Sequence, residues 1–138
     1  MGNGALTVSV LTFGMLIQPL LGKGLRAGDP LIPLPAAWEC DLATEALRWS
    51  PGVYDLFGVP RNEPLSRDDV VGMYTPESQA LLARVRNKAV AEGASFTIDV
   101  TIRRRDGALR KMRLTADVQF ENGRPVRLYG TKQDVTDE

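Results

Sequence analysis

The chain of 138 residues is 43% apolar and 25% charged, values typical of one soluble globular domain with a hydrophobic core. Basic and acidic residues both number 17, so no net charge favours nucleic acid or an anionic membrane as a partner. The chain lacks histidine, which excludes the commonest general base, metal ligand and haem ligand. Its single cysteine, Cys40, cannot form an internal disulfide, and this favours a cytoplasmic location.

Residues 1–35 differ in composition from the rest and are predicted to form an apolar extension and linker ahead of a domain at residues 36–138. Residues 5–22 carry no charge, and the favoured interpretation is a segment packed on the domain or on a partner chain. The alternatives are a poorly ordered leader and a membrane or targeting segment, although Thr, Ser, Gln and Pro dilute the apolar run. The candidate dimer-interface residues in this segment are Val8, Leu11, Phe13 and Ile17.

Two short strands are predicted at the start of the domain. Residues 36–42 alternate in character, with Trp38 and Cys40 on one side and acidic residues on the other. Residues 46–49 form the second strand. The alternation predicts one buried face.

Helices are predicted in the middle of the chain. Ser50 precedes a short helix that has proline at its first position and ends at Gly58. Residues 60–72 are irregular or form a short helix. Thr75 precedes a second proline-initiated helix, which is long and ends at Gly93.

Two stretches of alternating residues meet at Arg105-Asp106-Gly107 and predict a β-hairpin. A three-residue loop with its glycine left-handed pairs Val100 with Met112. The same register sets Asp99 opposite Arg113, a favourable cross-strand pair. A two-residue turn would place apolar residues beside basic ones, so that register is rejected.

A second turn lies at Glu121-Asn122-Gly123. The same loop type there pairs residue 118 with residue 126 and puts Leu128 and Gly130 on the apolar face as well. One face of the sheet is therefore apolar and must be covered by the helices.

Several segments together resemble PAS domains, in particular the bacterial type that precedes diguanylate cyclase and sensor histidine kinase domains. The resemblance covers residues 36–138. The segments that carry it are Trp38-Glu39-Cys40-Asp41-Leu42, Leu47-Arg48-Trp49-Ser50, Val53-Tyr54-Asp55-Leu56-Phe57-Gly58, Tyr74-Thr75-Pro76-Glu77-Ser78 and Gly130-Thr131-Lys132-Gln133-Asp134-Val135-Thr136.

The resemblance implies an α+β fold: a five-stranded antiparallel sheet in the order 2-1-5-4-3, with helices covering one face and here an N-terminal extension. It also implies that Asp134 and Thr136 match the Asp-x-Thr signature at which such domains hand over to an output helix. An acid and a hydroxyl at that position can cap backbone groups, so both residues are candidates for signal relay.

The family's familiar cofactors are disfavoured, because this chain departs from the patterns that bind them. Light-sensing flavin members carry a reactive cysteine in a helix within an Asn-Cys-Arg motif, whereas Cys40 lies on the first strand. Haem-binding members usually need a histidine, and the covalent chromophore of the yellow photoreceptor needs a suitably placed cysteine. No cofactor is predicted, and an unknown small molecule is left as the ligand.

The leading hypothesis is a non-catalytic sensory module that binds a small ligand, dimerises, or does both, and relays a conformational change to an effector domain such as a kinase or cyclase. The alternative is a ligand-free dimerisation or docking domain. Neither hypothesis includes nucleic acid or a membrane. The candidate pocket residues, for each of which core packing is the competing role, are Trp49, Tyr54, Met73, Tyr74, Phe96, Met112, Leu114 and Leu128.

Catalysis is rejected. Asp68-Asp69 and Gly22-Lys23-Gly24 are weakly similar to an acidic pocket and a phosphate-binding loop, but neither has the surrounding motif. The sequence contains no nucleophile–base pair and no metal cluster that would define an active site.

Overall fold

A computed structural model describes residues 33–138, which form five strands and three helices. The predicted dimer-interface residues and most of the extension lie outside this range. The elements are β1 Ala36–Asp41, β2 Leu47–Trp49, α1 Pro51–Phe57, α2 Arg67–Val71, α3 Pro76–Glu92, β3 Phe96–Arg103, β4 Leu109–Glu121 and β5 Arg124–Asp134.

The five strands form one antiparallel sheet in the order β2-β1-β5-β4-β3. The helices lie between β2 and β3 in the chain and cover the apolar face. The sequence therefore predicted the fold class and strand order correctly. The largest fully buried side chains are Phe57, Ile102, Met112, Leu128 and Val53.

The β3–β4 hairpin has the predicted register. Val100 pairs with Met112, and Asp99 pairs with Arg113. Gly107 has a φ of 92°, the left-handed conformation that the three-residue loop requires. Two opposed faces, one apolar and one charged, fix this register because any shift would disturb both.

The predicted register of β4 and β5 is wrong near their turn. Val118 pairs with Leu128 instead of residue 126, and the turn contains only Asn122 and Gly123. Both turn residues have positive φ, as expected for the two-residue Asn-Gly turn. A β-bulge then leaves Val126 without a partner in β4, which returns the apolar residues of β5 to the inner face.

The helix boundaries match the sequence signals. Gly58 and Gly93 end α1 and α3 in the left-handed conformation. Arg104 donates hydrogen bonds from Nη1 to the carbonyl oxygens of Asp55 (2.7 Å) and Leu56 (2.9 Å). This arginine therefore stabilises the C-terminal end of α1.

Strand β5 approaches β4 closely beside the core. A Cβ atom at Gly130 would overlap the carbonyl oxygen of Thr115, so only glycine fits this position. The same carbonyl oxygen accepts a hydrogen bond of 3.1 Å from the indole nitrogen of Trp38. The contact places the β1 tryptophan against the inner face of β5, next to Lys132.

Candidate functional site

A small cavity lies between the inner face of the sheet and the helices α2 and α3. Its volume is about 50 Å³, which is room for roughly four water-sized groups. Most of its wall is apolar, and the exceptions are one thiol, one phenol and three cationic side chains. The lining residues are Trp38, Cys40, Leu47, Arg67, Val70, Val71, Tyr74, Leu82, Arg86, Phe96, Leu114, Leu128 and Lys132.

Lys132 is the unusual member of this wall. It lies on β5 with only 5% of its surface exposed, and its Nζ donates a hydrogen bond of 3.2 Å to the Tyr74 hydroxyl. Four aromatic rings surround the ammonium. The distances from Nζ to the ring centroids are 4.8 Å for Phe57, 5.2 Å for Trp49, 5.5 Å for Trp38 and 5.7 Å for Tyr74.

Burial and ring contact act in opposite directions on this ammonium. Burial lowers the pKa of Lys132 to about 7, because the charged form loses its hydration. The π faces of the rings favour the charged form. Burial also raises the pKa of the Tyr74 phenol well above its usual range, so that its hydroxyl stays neutral and cannot neutralise the lysine.

Two arginines add to the positive charge of the cavity. Arg86 of α3 is 3.5 Å from a carboxylate oxygen of Glu45, an ion pair at the outer side of the wall. Arg67 of α2 makes no ion pair with any residue in the range 33–138. No aspartate or glutamate is among the residues that line the cavity.

The structure brings half of the predicted pocket residues together. Tyr74, Phe96, Leu114 and Leu128 line the cavity. Trp49 is buried beside it and stacks on Phe57 at 4.7 Å between ring centroids.

The other three predicted pocket residues do not line the cavity. Met112 is fully buried in the core. Tyr54 is half-buried and contacts Trp49 edge-to-face, and Met73 is half-buried with its carbonyl oxygen bonded to the amide of Arg103. These side chains fill the interior around the site.

Sequence reasoning missed the three cations of the cavity. A signal for Lys132 existed, since the alternation that put Leu128 and Gly130 on the inner face continues to residue 132. A lysine at an inward position of a strand is rare unless it has a partner or a function. Arg67 and Arg86 gave no comparable signal, because charged residues are common on exposed helix faces.

The end of β5 carries the predicted relay residues. One Asp134 carboxylate oxygen accepts hydrogen bonds from the Thr136 amide (2.9 Å) and hydroxyl (2.6 Å). The Thr136 hydroxyl oxygen in turn accepts a bond of 3.0 Å from the amide of Lys111 in β4. The Asp-x-Thr motif thus folds the exit of β5 into a turn that is fastened to the neighbouring strand.

The outer face of the sheet contains a compensated cation. Arg113 forms a two-pronged ion pair with Asp99, at 2.9 and 3.1 Å, and pairs with Glu138 at 2.7 Å. The arginine holds the pKa of Asp99 below its usual range through these hydrogen bonds. This face therefore satisfies its own charges.

A family-level sequence match supports what the strand order indicates. The family described as PAS fold matches residues 46–132, which is more than half of the chain. The chain belongs to the PAS fold family. The match begins just before β2 and ends at Lys132, so it includes all the residues that line the cavity except Trp38 and Cys40 of β1.

Solved structures share the PAS fold at low identity. The N-terminal domain of a diguanylate cyclase with PAS/PAC sensor from Marinobacter aquaeolei matches with a TM-score of 0.69 and 23% identity, over 75% of this chain and 96% of that one. A sensory box histidine kinase/response regulator from Burkholderia thailandensis matches with a TM-score of 0.65 and 20% identity, over 75% and 78%. A domain of a putative light and redox sensing histidine kinase from Haloarcula marismortui matches with a TM-score of 0.65 and 16% identity, over 75% and 91%.

Curated proteins gave no match. Within residues 33–138, no cluster of three or more His, Cys, Asp or Glu side chains is arranged to hold a metal ion. None of the helices in that range is long and apolar enough to cross a membrane.

Proposed function

We propose that this PAS domain is a non-catalytic sensory module that binds a small molecule in the cavity and relays a conformational change through the end of β5. The observation that carries the proposal is the position of Lys132 and Asp134 on one strand. The first is a wall of the cavity and the second begins the exit turn. They are two residues, or about 7 Å, apart along the strand.

A change at the cavity has a short mechanical path to the exit. Lys132 pairs with Leu114 of β4, and Asp134 pairs with Met112 of the same strand. A ligand that shifts Lys132 therefore acts on the pairing that holds the Asp134–Thr136 turn. Tightly packed interiors transmit such displacements because they do not compress.

The effector we propose is a kinase or cyclase domain, either covalently linked or separate, acting in a homodimeric bacterial cytoplasmic protein. The similar structures named above come from a diguanylate cyclase and two histidine kinases. PAS domains are sensory parts of such proteins, and the catalytic step belongs to other domains. The proposal includes no haem, flavin or covalent chromophore.

The small size of the cavity favours a second candidate function, a ligand-free dimerisation or docking domain. A cavity of about 50 Å³ is well below the volume of pockets for drug-sized ligands, which is roughly 300 Å³ or more. In that case Thr136 and Asp134 would relay changes that arise from partner contacts.

A fusion experiment tests the relay. The domain replaces the PAS segment of a diguanylate cyclase, and cyclase activity is measured for the parent fusion and for the variant Asp134→Ala/Thr136→Val. The variant removes the hydrogen bond to the Lys111 amide and those within the turn. We therefore expect its cyclase activity to respond neither to small molecules added to the assay nor to mutations in the cavity. The matched control is Asp137→Ala, which changes an exposed acid in the same tail. Equal responses from all three fusions would contradict the proposal.

A further inference from the structure

The cavity contains an excess of positive charge that the fold does not neutralise. Lys132 and Arg67 both line it, and neither has a carboxylate partner within residues 33–138. Arg86 shares its charge with Glu45, whose side chain is half exposed at the outer side. The net charge that faces the cavity is therefore positive.

Buried ammonium groups are normally paired with a carboxylate, because the cost of losing hydration is large. The hydrogen-bond acceptor of Lys132 is the neutral hydroxyl of Tyr74, at 3.2 Å. The four ring faces favour the charged form but carry no net charge, so they do not neutralise the ammonium. None of the described side chains therefore neutralises the charge of Lys132, which lies in the wall of the cavity.

A second polar group in the same region lacks an acceptor. The indole nitrogen of Trp49 is buried and has no hydrogen-bond partner among the described residues. The Lys132 ammonium lies 5.2 Å from the centroid of the same indole. Trp49 does not line the cavity, so this donor is not counted among the groups that a ligand there would contact.

The rest of the cavity indicates what the anion is attached to. Leu114, Leu128 and Phe96 form apolar walls. A volume of about 50 Å³ accepts roughly four water-sized groups, which corresponds to a small aliphatic tail and not to a ring system or a lipid chain. A single carboxylate at the lysine matches the positive charge, and a short apolar tail matches these walls.

We propose that the cavity binds a short-chain aliphatic monocarboxylate, with its carboxylate on Lys132 and its tail against Leu114, Leu128 and Phe96. The proposal deepens the proposed function and rests on it, since it names the chemical class of the sensed molecule. Lys132 is then the group that recognises the ligand and, through β5, the group that passes its binding to the exit turn.

Calorimetric titration with butyrate and with butyramide tests the proposal. The two compounds have nearly the same shape and differ in charge. We expect butyrate to bind the wild-type protein at least about tenfold more tightly than butyramide, a difference of about 1.4 kcal/mol. Equal affinities, or no binding of butyrate, would overturn the proposal.

Variants assign the binding to Lys132. We expect Lys132→Met to lower butyrate affinity at least about tenfold, while Lys88→Met, the same change on an exposed position of α3, leaves it unaltered. Lys132→Gln keeps a hydrogen-bond donor but removes the charge, and we expect it to lower butyrate affinity as well. Butyrate affinity that survives both Lys132 variants would overturn the proposal.

Failure here is distinct from failure of the sensory function. If a neutral apolar molecule co-purifies with the domain and regulates the cyclase fusion in both the wild-type and Lys132→Met forms, the carboxylate is excluded as the ligand and the sensor remains. If the fusion ignores the Asp134→Ala/Thr136→Val change, the relay fails irrespective of what the cavity binds.

Discussion

Two cations on opposite faces of one sheet are treated differently by the fold. Arg113 on the outer face is paired with Asp99 and Glu138, both within 3 Å of its guanidinium. Lys132 on the inner face is buried and bonded to a neutral phenol. The charge of Arg113 costs little free energy because the side chain is near solvent, and two carboxylates compensate it. The charge of Lys132 costs more because the ammonium is buried, and none of the described carboxylates compensates it.

The difference indicates that Lys132 does not serve stability. An apolar residue in its place would avoid the cost of burying an ammonium and would still fill the space between the rings. Functional sites are where proteins accept such a cost. The four predictions below test this difference between the two faces, beginning with the largest effect.

Lys132→Met should stabilise the domain, by roughly 1 to 4 kcal/mol in the free energy of unfolding. Methionine is apolar and unbranched and makes favourable contacts with aromatic rings. Arg113→Met should instead destabilise the domain slightly, because it breaks an exposed ion pair. Urea unfolding measures both. A Lys132→Met variant less stable than Arg113→Met would show that the buried lysine is structural.

Tyr74→Phe should destabilise the wild-type domain by about 1 to 3 kcal/mol, because it leaves the Lys132 ammonium without its hydrogen-bond acceptor. The same change in a Lys132→Met background should have a much smaller effect. The four proteins form a double-mutant cycle in urea unfolding. An equal cost in both backgrounds would mean that the phenol stabilises the fold independently of the lysine.

Stability should rise with pH above neutrality because of Lys132. Below its folded pKa of about 7, Lys132 is charged in both the folded and the unfolded state, and the full cost of burying the ammonium is present. Above that pH the lysine of the unfolded chain, whose pKa is the ordinary 10.5, keeps a proton that the folded state has lost, so stability rises. The slope is at most about 1.4 kcal/mol per pH unit. Of the other groups that line the cavity, burial raises the pKa values of Cys40 and Tyr74, and Arg67 and Arg86 are the cationic side chains.

The measurement compares urea unfolding of the wild-type and Lys132→Met proteins between about pH 7 and about pH 8, below the ordinary thiol pKa of about 8.5. We expect the free energy of unfolding of the wild-type protein to rise more with pH than that of the variant. Parallel pH curves for the two proteins would contradict the low pKa of Lys132.

Asp99→Asn should have the smallest effect, a loss of about 1 kcal/mol or less that fades as salt is added. The pair that it breaks with Arg113 is exposed on the outer face, where ions screen it. The change in stability from Lys132→Met should be nearly independent of salt, since the lysine is buried. Thermal unfolding in low and high salt distinguishes the two faces.

The sequence was sufficient for the fold because its patterns are redundant. In the β3–β4 hairpin, apolar pairing and the Asp99–Arg113 pair select the same register, and the structure has it. At the second turn only one pattern was available. The shorter turn and the bulge at Val126 each shift the pairing by one residue, and together they preserve the apolar face. Alternation alone could therefore not distinguish the two registers.

The candidate site was predictable only in part. Apolar wall residues such as Leu114 and Leu128 follow from strand alternation. The cavity itself depends on how α2 and α3 pack on the sheet, and that packing brings Arg67 and Arg86 beside Lys132. Strand alternation places residue 132 on the inner face of the sheet. Whether the charge at that position is buried depends on the tertiary packing of the helices, which local sequence patterns do not specify.

The most direct test of the central claim follows the protonation of Lys132 itself. Carbon-13 labelled lysine allows the side-chain Cε shift of Lys132 to be titrated with pH by NMR, and Lys132→Met assigns the signal. We expect a midpoint near pH 7 in the free domain and a higher midpoint with saturating butyrate, because the carboxylate stabilises the ammonium. A midpoint near the ordinary lysine value, unchanged by butyrate, would contradict the account.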